Sequence, residues 1–82
     1  MKLGNELLKK LSRKYEPSAM VTLAFRHYDL AVKTNEESDP ILVFMGKLRE
    51  DGSIKGDRFA RRLLKDKDEK LIKDHWDYKG KV

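Results

Sequence analysis

The sequence contains no cysteine and no long apolar run. Without cysteine the chain can form neither a disulfide nor a thiolate metal site, so it needs no oxidising compartment. The longest unbroken apolar run, Ile41 to Met45, is too short to span a membrane or to form the apolar part of a signal peptide. The first five residues also lack a secretory pattern. We therefore expect no membrane contact and a cytoplasmic location.

The common motifs of enzymes are missing as well. There is no Gly-x-Ser-x-Gly elbow, no P-loop and no Gly-x-Gly-x-x-Gly, and the segment between Gly52 and Gly56 is too short to hold a phosphate. The paired acids at 36–37, 50–51 and 68–69 fall in polar stretches that predict water-exposed loops, which is a poor environment for acid–base catalysis. The sequence therefore predicts a protein that is not an enzyme and that binds no cofactor.

The composition is that of one small basic domain. The chain has 82 residues, a net charge of +5 and a pI near 9.5, with 19 basic residues interleaved among 14 acidic ones. This balance favours contact with polyanions, although the two signs are poorly segregated. A chain of this size buries a small core, and self-association is a common remedy. Three Phe, three Tyr and one Trp argue against disorder.

The N-terminal segment predicts a helix from about Asn5 to Tyr15. Asn5 is a good N-cap, and Pro17 prevents further propagation. The helix would carry one apolar stripe of Leu7, Leu8, Leu11 and Tyr15. Its other side would carry Lys9, Lys10, Arg13 and Lys14, which form either a solvated face or one edge of a basic surface.

The stretch from Ile41 to Arg49 predicts the central strand of a sheet. Its first five residues are apolar at both alternating sets of positions, as in a strand covered on both faces. Asp51-Gly52 then marks a hairpin turn. We interpret 54–65 as the partner strand, with a helix capped by Asp57 as the alternative.

Two further strand regions complete the predicted sheet. Apolar residues alternate from Val21 to Phe25, and the phase then slips by one position. Because no Gly or Pro marks a turn there, we favour one long strand over 19–34, bent by a bulge near Arg26, over two short strands joined by a turn. Residues 71–78 read as a closing strand, and residues 80–82 as a frayed end.

These elements predict an α+β domain spanning 1–82, in which an N-terminal helix packs on a small antiparallel meander of four to five strands. The predicted helix covers 5–15, and the predicted strands cover 19–34, 41–49, 54–65 and 71–78. This order of a short helix followed by a bent antiparallel sheet resembles that of the Sm-like and SH3-like small barrels. Some members of those families bind RNA.

Two similar tripeptides, His27-Tyr28-Asp29 and His75-Trp76-Asp77, suggest a metal or base site. Each would place an imidazole beside a carboxylate on one face of a strand, and two such pairs together could hold a metal ion. The alternative is that the aromatic residues pack inward while each His pairs with its Asp in solvent. We favour this alternative, and the sequence therefore predicts no metal site.

The basic residues of the predicted central hairpin are the better candidate for binding. If the two strands pair, Arg62 with Phe59 nearby would offer a guanidinium and a ring to an RNA backbone or a splayed base. Alternatively, the long basic stems cover the sheet and keep their charges in water. The candidate nucleic-acid-binding residues are Lys47, Arg49, Lys55, Arg58, Arg61 and Arg62.

Two functions therefore remain open at this stage. The first is a small, basic, non-enzymatic domain that contacts nucleic acid, in particular an RNA backbone, through a sheet face lined with Arg and Lys. The second is a protein–protein interaction domain or homo-oligomeric subunit with no role in nucleic-acid binding, in which a sheet edge or face pairs with another chain. The lone Trp76 is expected to close the core against the helix.

Overall fold

The computed structural model describes residues 3–81, which form one short helix and one five-stranded antiparallel sheet. The elements are α1 (Asn5–Leu11), β1 (Met20–Phe25), β2 (Tyr28–Thr34), β3 (Pro40–Leu48), β4 (Ile54–Lys65) and β5 (Leu71–Lys81). The α1 helix is the only helix in this part of the chain, and it is far too short to cross a membrane.

The sheet is an open meander in which every strand pairs with its neighbours in the chain, in the order β1-β2-β3-β4-β5. Within residues 3–81, β1 and β5 are therefore both edge strands, and the sheet does not close into a barrel. The predicted combination of a helix with an antiparallel meander is confirmed in outline. The helix contributes less than expected, because α1 has only seven residues.

The helix is shorter than predicted at its C-terminal end, and Gly4 rather than Asn5 is its N-cap. The helix ends at Leu11 because the residues after it form hydrogen bonds that differ from those of a continuing helix. The Ser12 hydroxyl donates to the Leu8 carbonyl at 2.8 Å, and the Tyr15 amide donates to the Ser38 carbonyl in the β2–β3 loop at 3.1 Å. Side-chain and loop partners thus replace the next helical turn.

The prediction of one bent strand over 19–34 is wrong. Phe25 pairs directly with Tyr28 across a two-residue turn, so β1 and β2 form a hairpin. Arg26 takes the turn position with φ of +57°, where glycine is usual. Its guanidinium bonds the Glu6 carboxylate at 2.7 Å and lies 5.5 Å from the Phe25 ring. These contacts hold a turn that no glycine or proline marks in the sequence.

The last two strands also differ in detail from their predicted forms. The 54–65 segment is the strand β4, and Asp57 caps no helix there but pairs with Lys81. The β5 strand continues past Tyr78 to Lys81, with a register shift near Gly80, whose φ is +89°. Residues 80 and 81 are therefore paired rather than frayed, and residue 82 lies outside the described residues.

The hydrophobic core lies between α1 and one face of the sheet. Leu7 and Leu11 of the helix are buried against five sheet residues, which are Leu30, Val32, Val43, Met45 and Phe59. Burying a side chain of this kind stabilises the fold by about 1.5–3 kcal/mol. Trp76 packs against the same cluster from β5, as the sequence predicts. One seven-residue helix covers only this face, so the core leaves the opposite face of the sheet uncovered.

Gly46 and Gly56 face each other where β3 and β4 come closest. A Cβ atom on Gly56 would lie 2.1 Å from the Met45 carbonyl oxygen, and one on Gly46 would lie 2.7 Å from the Lys55 carbonyl oxygen. Both distances are shorter than a van der Waals contact. A glycine inside a strand usually marks a bulge, a bend or the close approach of another backbone, and Gly46 and Gly56 mark the close approach of β3 and β4.

Candidate functional site

The face of the sheet opposite α1 is the candidate site, and we call it the open face. Side chains alternate along a strand, so the residues between the core positions point to this side. On the three central strands they include Ala31, Lys33, Leu42, Phe44, Arg58, Ala60 and Arg62. Within the described chain no second helix covers them, and most remain partly or fully accessible to water.

The centre of the open face is apolar. The half-buried Phe44 lies on the middle strand, between Ala31 on β2 and Arg58 on β4. Phe44 and Ala31 also line a shallow groove of about 300 Å³ together with Met20 and Ile54. Met20 is 57% exposed at the edge of this groove. The half-buried Phe44 ring and the exposed Met20 side chain are therefore accessible at this groove, whereas Ile54 is buried in its wall.

Basic side chains border this apolar centre. Arg58 lies directly opposite Phe44, Lys33 lies opposite Leu42, and Arg62 lies opposite His75. The Arg62 side chain is 66% exposed, and its Nε lies 3.5 Å from an Asp77 carboxylate oxygen. That distance is long for a charge-assisted hydrogen bond, so Arg62 keeps most of its donors free for another anion.

Arg61 does not belong to this surface, although the sequence places it in the candidate set. Its side chain points to the helix side and is only 7% exposed. Nε and Nη2 bond the two Asp74 carboxylate oxygens at 2.6 and 2.7 Å, and Nη1 donates to the Pro40 carbonyl at 3.2 Å. The ring of Trp76 lies 5.7 Å from the guanidinium. Arg61 therefore joins β3, β4 and β5 and is not available to a ligand.

The ion pair shifts the pKa values of both Arg61 and Asp74. The bidentate hydrogen bond from Arg61 lowers the pKa of the Asp74 carboxyl below its ordinary value. The same bond raises the pKa of the Arg61 guanidinium, although burial acts in the opposite direction. Both groups stay charged across the physiological range, as a structural ion pair requires.

Phe59 is also unavailable, because it is 1% exposed in the core. The suggested partnership of Arg62 with Phe59 is therefore wrong, since the two residues point to opposite faces of β4. The accessible combination of ring and guanidinium is Phe44 with Arg58, which face each other across β3 and β4.

The remaining candidates lie at the hairpin end of the sheet. Lys47 and Lys55 are opposite each other on β3 and β4, and Arg49 is at the start of the turn that follows β3. In the strand alternation, both lysines are at helix-side positions rather than open-face positions. Lys47 also donates from Nζ to the His27 carbonyl oxygen. These three residues are exposed and lie at the hairpin end, away from Arg62, and Lys55 also lines the groove beside Phe44.

The two His-x-Asp tripeptides do not come together. Asp29 is on β2 and His75 on β5, about 20–25 Å apart along the sheet at the usual strand spacings. Asp29 accepts a hydrogen bond from the Leu48 amide at 2.8 Å, and His75 Nε2 lies 2.8 Å from Asp77. No group of three or more potential metal-ligating His, Asp or Glu residues occurs among residues 3–81.

The sequence does not predict that Phe44 is accessible, because an apolar run on both alternating sets indicates a strand covered on both faces. The signal that could have corrected this is helix length. A single short helix can cover one face of a five-stranded sheet but not two, so half of the Ile41–Met45 run must stay near solvent. Lys33 is missed because its segment was assigned to a bent strand, which leaves the facing direction undefined.

No protein-family model, curated protein or solved structure is significantly similar to this chain. The function therefore has to be inferred from the geometry of the open face.

Proposed function

We propose that this domain binds single-stranded nucleic acid, and RNA in particular, on the open face. The observation that carries this proposal is the half-buried Phe44 ring on the central strand, with Arg58 directly opposite it on the uncovered side of the sheet. A sheet surface that offers an aromatic ring for stacking and arginines for phosphates is a recurrent way to hold an unpaired strand.

Stacking on Phe44 would supply the short-range part of the affinity. A base that stacks on an aromatic side chain contributes about 1–3 kcal/mol, whatever its identity, because every base has a π-face. The groove beside Phe44, lined by Met20, Ala31 and Ile54, gives the stacked base an apolar wall. This arrangement favours weak sequence selectivity, because stacking on a ring does not depend on the identity of the base.

The basic border would supply the long-range part. Lys33, Arg58 and Arg62 surround the ring from β2 and β4, and Lys73 adds a charge on β5 next to Leu64. Asp77 offsets part of this charge through its contact with Arg62. Each phosphate contact on a single strand contributes about −0.7 to the slope of log affinity against log salt concentration. If three of these cations neutralise phosphates, the slope should therefore be about −2.

The proposal is tested by fluorescence anisotropy with a labelled single-stranded RNA of mixed sequence, titrated at several salt concentrations. Replacing both open-face arginines, Arg58→Gln with Arg62→Gln, should weaken binding and make the salt slope shallower by about 1.4. Phe44→Leu keeps an apolar side chain but removes the ring, so it should weaken binding while leaving the slope unchanged.

Lys9→Gln with Arg13→Gln provides the matched control, because it also removes two positive charges, from exposed positions on the helix and just after it. Lys47→Gln with Arg49→Gln tests the hairpin-end group in the same way and leaves the groove residue Lys55 unchanged. If these controls reduced the salt slope as much as the open-face variants do, binding would be distributed over the surface and the proposed site would be wrong. A single-stranded DNA of the same sequence measures the preference for RNA.

A further inference from the structure

The edge strand β1 lacks the features that normally protect a sheet edge. Its six residues, MVTLAF, include no charge, no proline and no glycine. The opposite edge, β5, carries charged residues along its length and two register shifts. Charges and bulges on an edge strand prevent it from pairing with another chain, and an uncharged edge rich in β-forming residues invites such pairing.

The main-chain groups that β1 offers to solvent can be assigned from its hairpin. The two-residue turn closes on the Phe25–Tyr28 pair, so Phe25, Leu23 and Val21 bond to β2. The alternate residues Thr22 and Ala24 then direct their amide and carbonyl groups away from the sheet. The Ala24 carbonyl oxygen accepts a hydrogen bond from Lys10 Nζ of α1 at 2.7 Å, so it is not paired with β2, as this assignment requires.

The side chains of β1 are incompletely covered on both faces. Val21, Leu23 and Phe25 are half-buried on the helix side, and Met20 is exposed on the open face. A further strand laid against β1 would cover these apolar groups and would satisfy the outward amides of Thr22 and Ala24.

We propose that β1 pairs antiparallel with β1 of a second copy of this chain, which joins two sheets into one of ten strands. Charge favours a second copy, because an uncharged strand can meet itself without repulsion, whereas it offers nothing to attract a charged partner segment. The nearest open-face charges lie on β2, where Lys33 is opposite Met20 and Asp29 is opposite Ala24. With Thr22 opposite Thr22 of the second copy, the two Lys33 residues lie about 20 Å apart, well beyond the screening length of about 8–10 Å.

This pairing also preserves the two faces of the sheet. Opposite residues in an antiparallel pair point to the same side, so Val21 would lie beside Leu23 of the second copy, and Met20 beside Ala24. Both helices would then cover one face and both open faces would be continuous. Lys10 would have to release the Ala24 carbonyl, so its present contact opposes the dimer.

The contact is small. A six-residue strand is about 20 Å long, and an interface confined to it falls below the size of a standard stable complex. We therefore expect a weak dimer with a dissociation constant between about 1 µM and 1 mM.

Sedimentation equilibrium of the full chain, from about 10 µM to 1 mM across the range set by that constant, measures the association. The expected result is a reversible monomer–dimer equilibrium. Thr22→Lys places a charge at the two-fold axis on an exposed side chain and should weaken the dimer at least tenfold. Asp68→Asn changes the net charge equally at an exposed position in the β4–β5 turn, at the other edge of the sheet, and should have no effect. Lys10→Ala frees the Ala24 carbonyl and should strengthen the dimer.

A monomer at every concentration would overturn the proposal, as would a dimer that Thr22→Lys leaves intact. Species larger than two copies would also overturn it, because they would indicate head-to-tail pairing of β1 with β5. If Thr22→Lys disturbs folding, as judged by circular dichroism, Met20→Lys provides the same test at another exposed β1 position. Because the measurement contains no nucleic acid, its outcome is independent of the function proposed above.

Discussion

The buried ion pair of Arg61 and Asp74 gives the sharpest stability prediction. Replacing Asp74 by Ala leaves the guanidinium, whose side chain is 7% exposed, with only the carbonyls of Pro40 and Leu11 as acceptors, at 3.2 and 3.4 Å. Removing one partner of a fully buried pair costs about 3–5 kcal/mol. The Asp74 side chain is 35% exposed, so water replaces part of the lost contact. We therefore expect a loss of about 2 kcal/mol.

Arg61→Met should cost less, at about 1 kcal/mol, because it removes the charge and keeps an apolar stem beside Trp76. The Asp74 carboxylate left behind can be hydrated. We therefore expect Asp74→Ala to be more destabilising than Arg61→Met. This order would show that the buried Arg61 guanidinium needs the Asp74 carboxylate to balance its charge. Asp77→Ala is the matched control on the same strand, and since its partner Arg62 is largely exposed it should cost less than about 1 kcal/mol.

Urea denaturation gives the free energies, and thermal denaturation should show a fall in Tm of about 8–16 °C for Asp74→Ala, at about 4–8 °C per kcal/mol for a domain of this size. The reasoning would be refuted if Asp74→Ala were no more destabilising than Asp77→Ala, or if Arg61→Met were the costlier of the two Arg61–Asp74 variants.

Three further predictions concern pH and packing. Because folding lowers the pKa of Asp74, its contribution to the free energy of unfolding is fully present above pH 3.8, the ordinary pKa. This contribution is lost as the pH falls through the lower folded-state pKa. Asp74→Ala should therefore make stability fall less steeply as the pH is lowered. The hydrogen bond to Asp57 raises the pKa of Tyr78, so ultraviolet titration should show one phenol ionising above the ordinary value of 10.0, and Asp57→Asn should bring it down. That contribution to stability is present below pH 10.0 and is lost as the pH rises through the folded-state pKa. Gly56→Ala should cost at least about 2 kcal/mol in urea denaturation, because its Cβ would overlap the Met45 carbonyl. Gly4→Ala is the control, because Gly4 has open space around it and a φ of −75° that alanine adopts readily.

The strands of this fold follow from local patterns in the sequence. Alternation from Val21 to Phe25, the apolar run from Ile41 and the Asp51-Gly52 turn identify three strand regions and one hairpin, because each signal comes from neighbouring residues. At 54–65 the residue pattern fits a helix at least as well as a strand, and the short link from the Asp51-Gly52 turn is what favours the strand that is found there.

The errors occur where distant side chains decide the local structure. The β1–β2 turn depends on Arg26 at a positive φ, held by Glu6 from the helix, and the helix ends early because Tyr15 bonds to the β2–β3 loop. Neither contact is visible in a short window of sequence. The predicted set of binding residues is wrong at Arg61 for a related reason. Arg61 and Arg62 are adjacent in the chain, but they point to opposite faces of β4, and only Arg62 is exposed.

Binding of RNA to the open face is tested most directly by mapping amide chemical shifts of the labelled protein as single-stranded RNA is added. The account predicts that the largest changes occur at Phe44, Arg58 and their neighbours Ala31 and Ala60, with little change along α1. Changes confined to α1 or to the β4–β5 turn, or no change at RNA concentrations well above that of the protein, would contradict it.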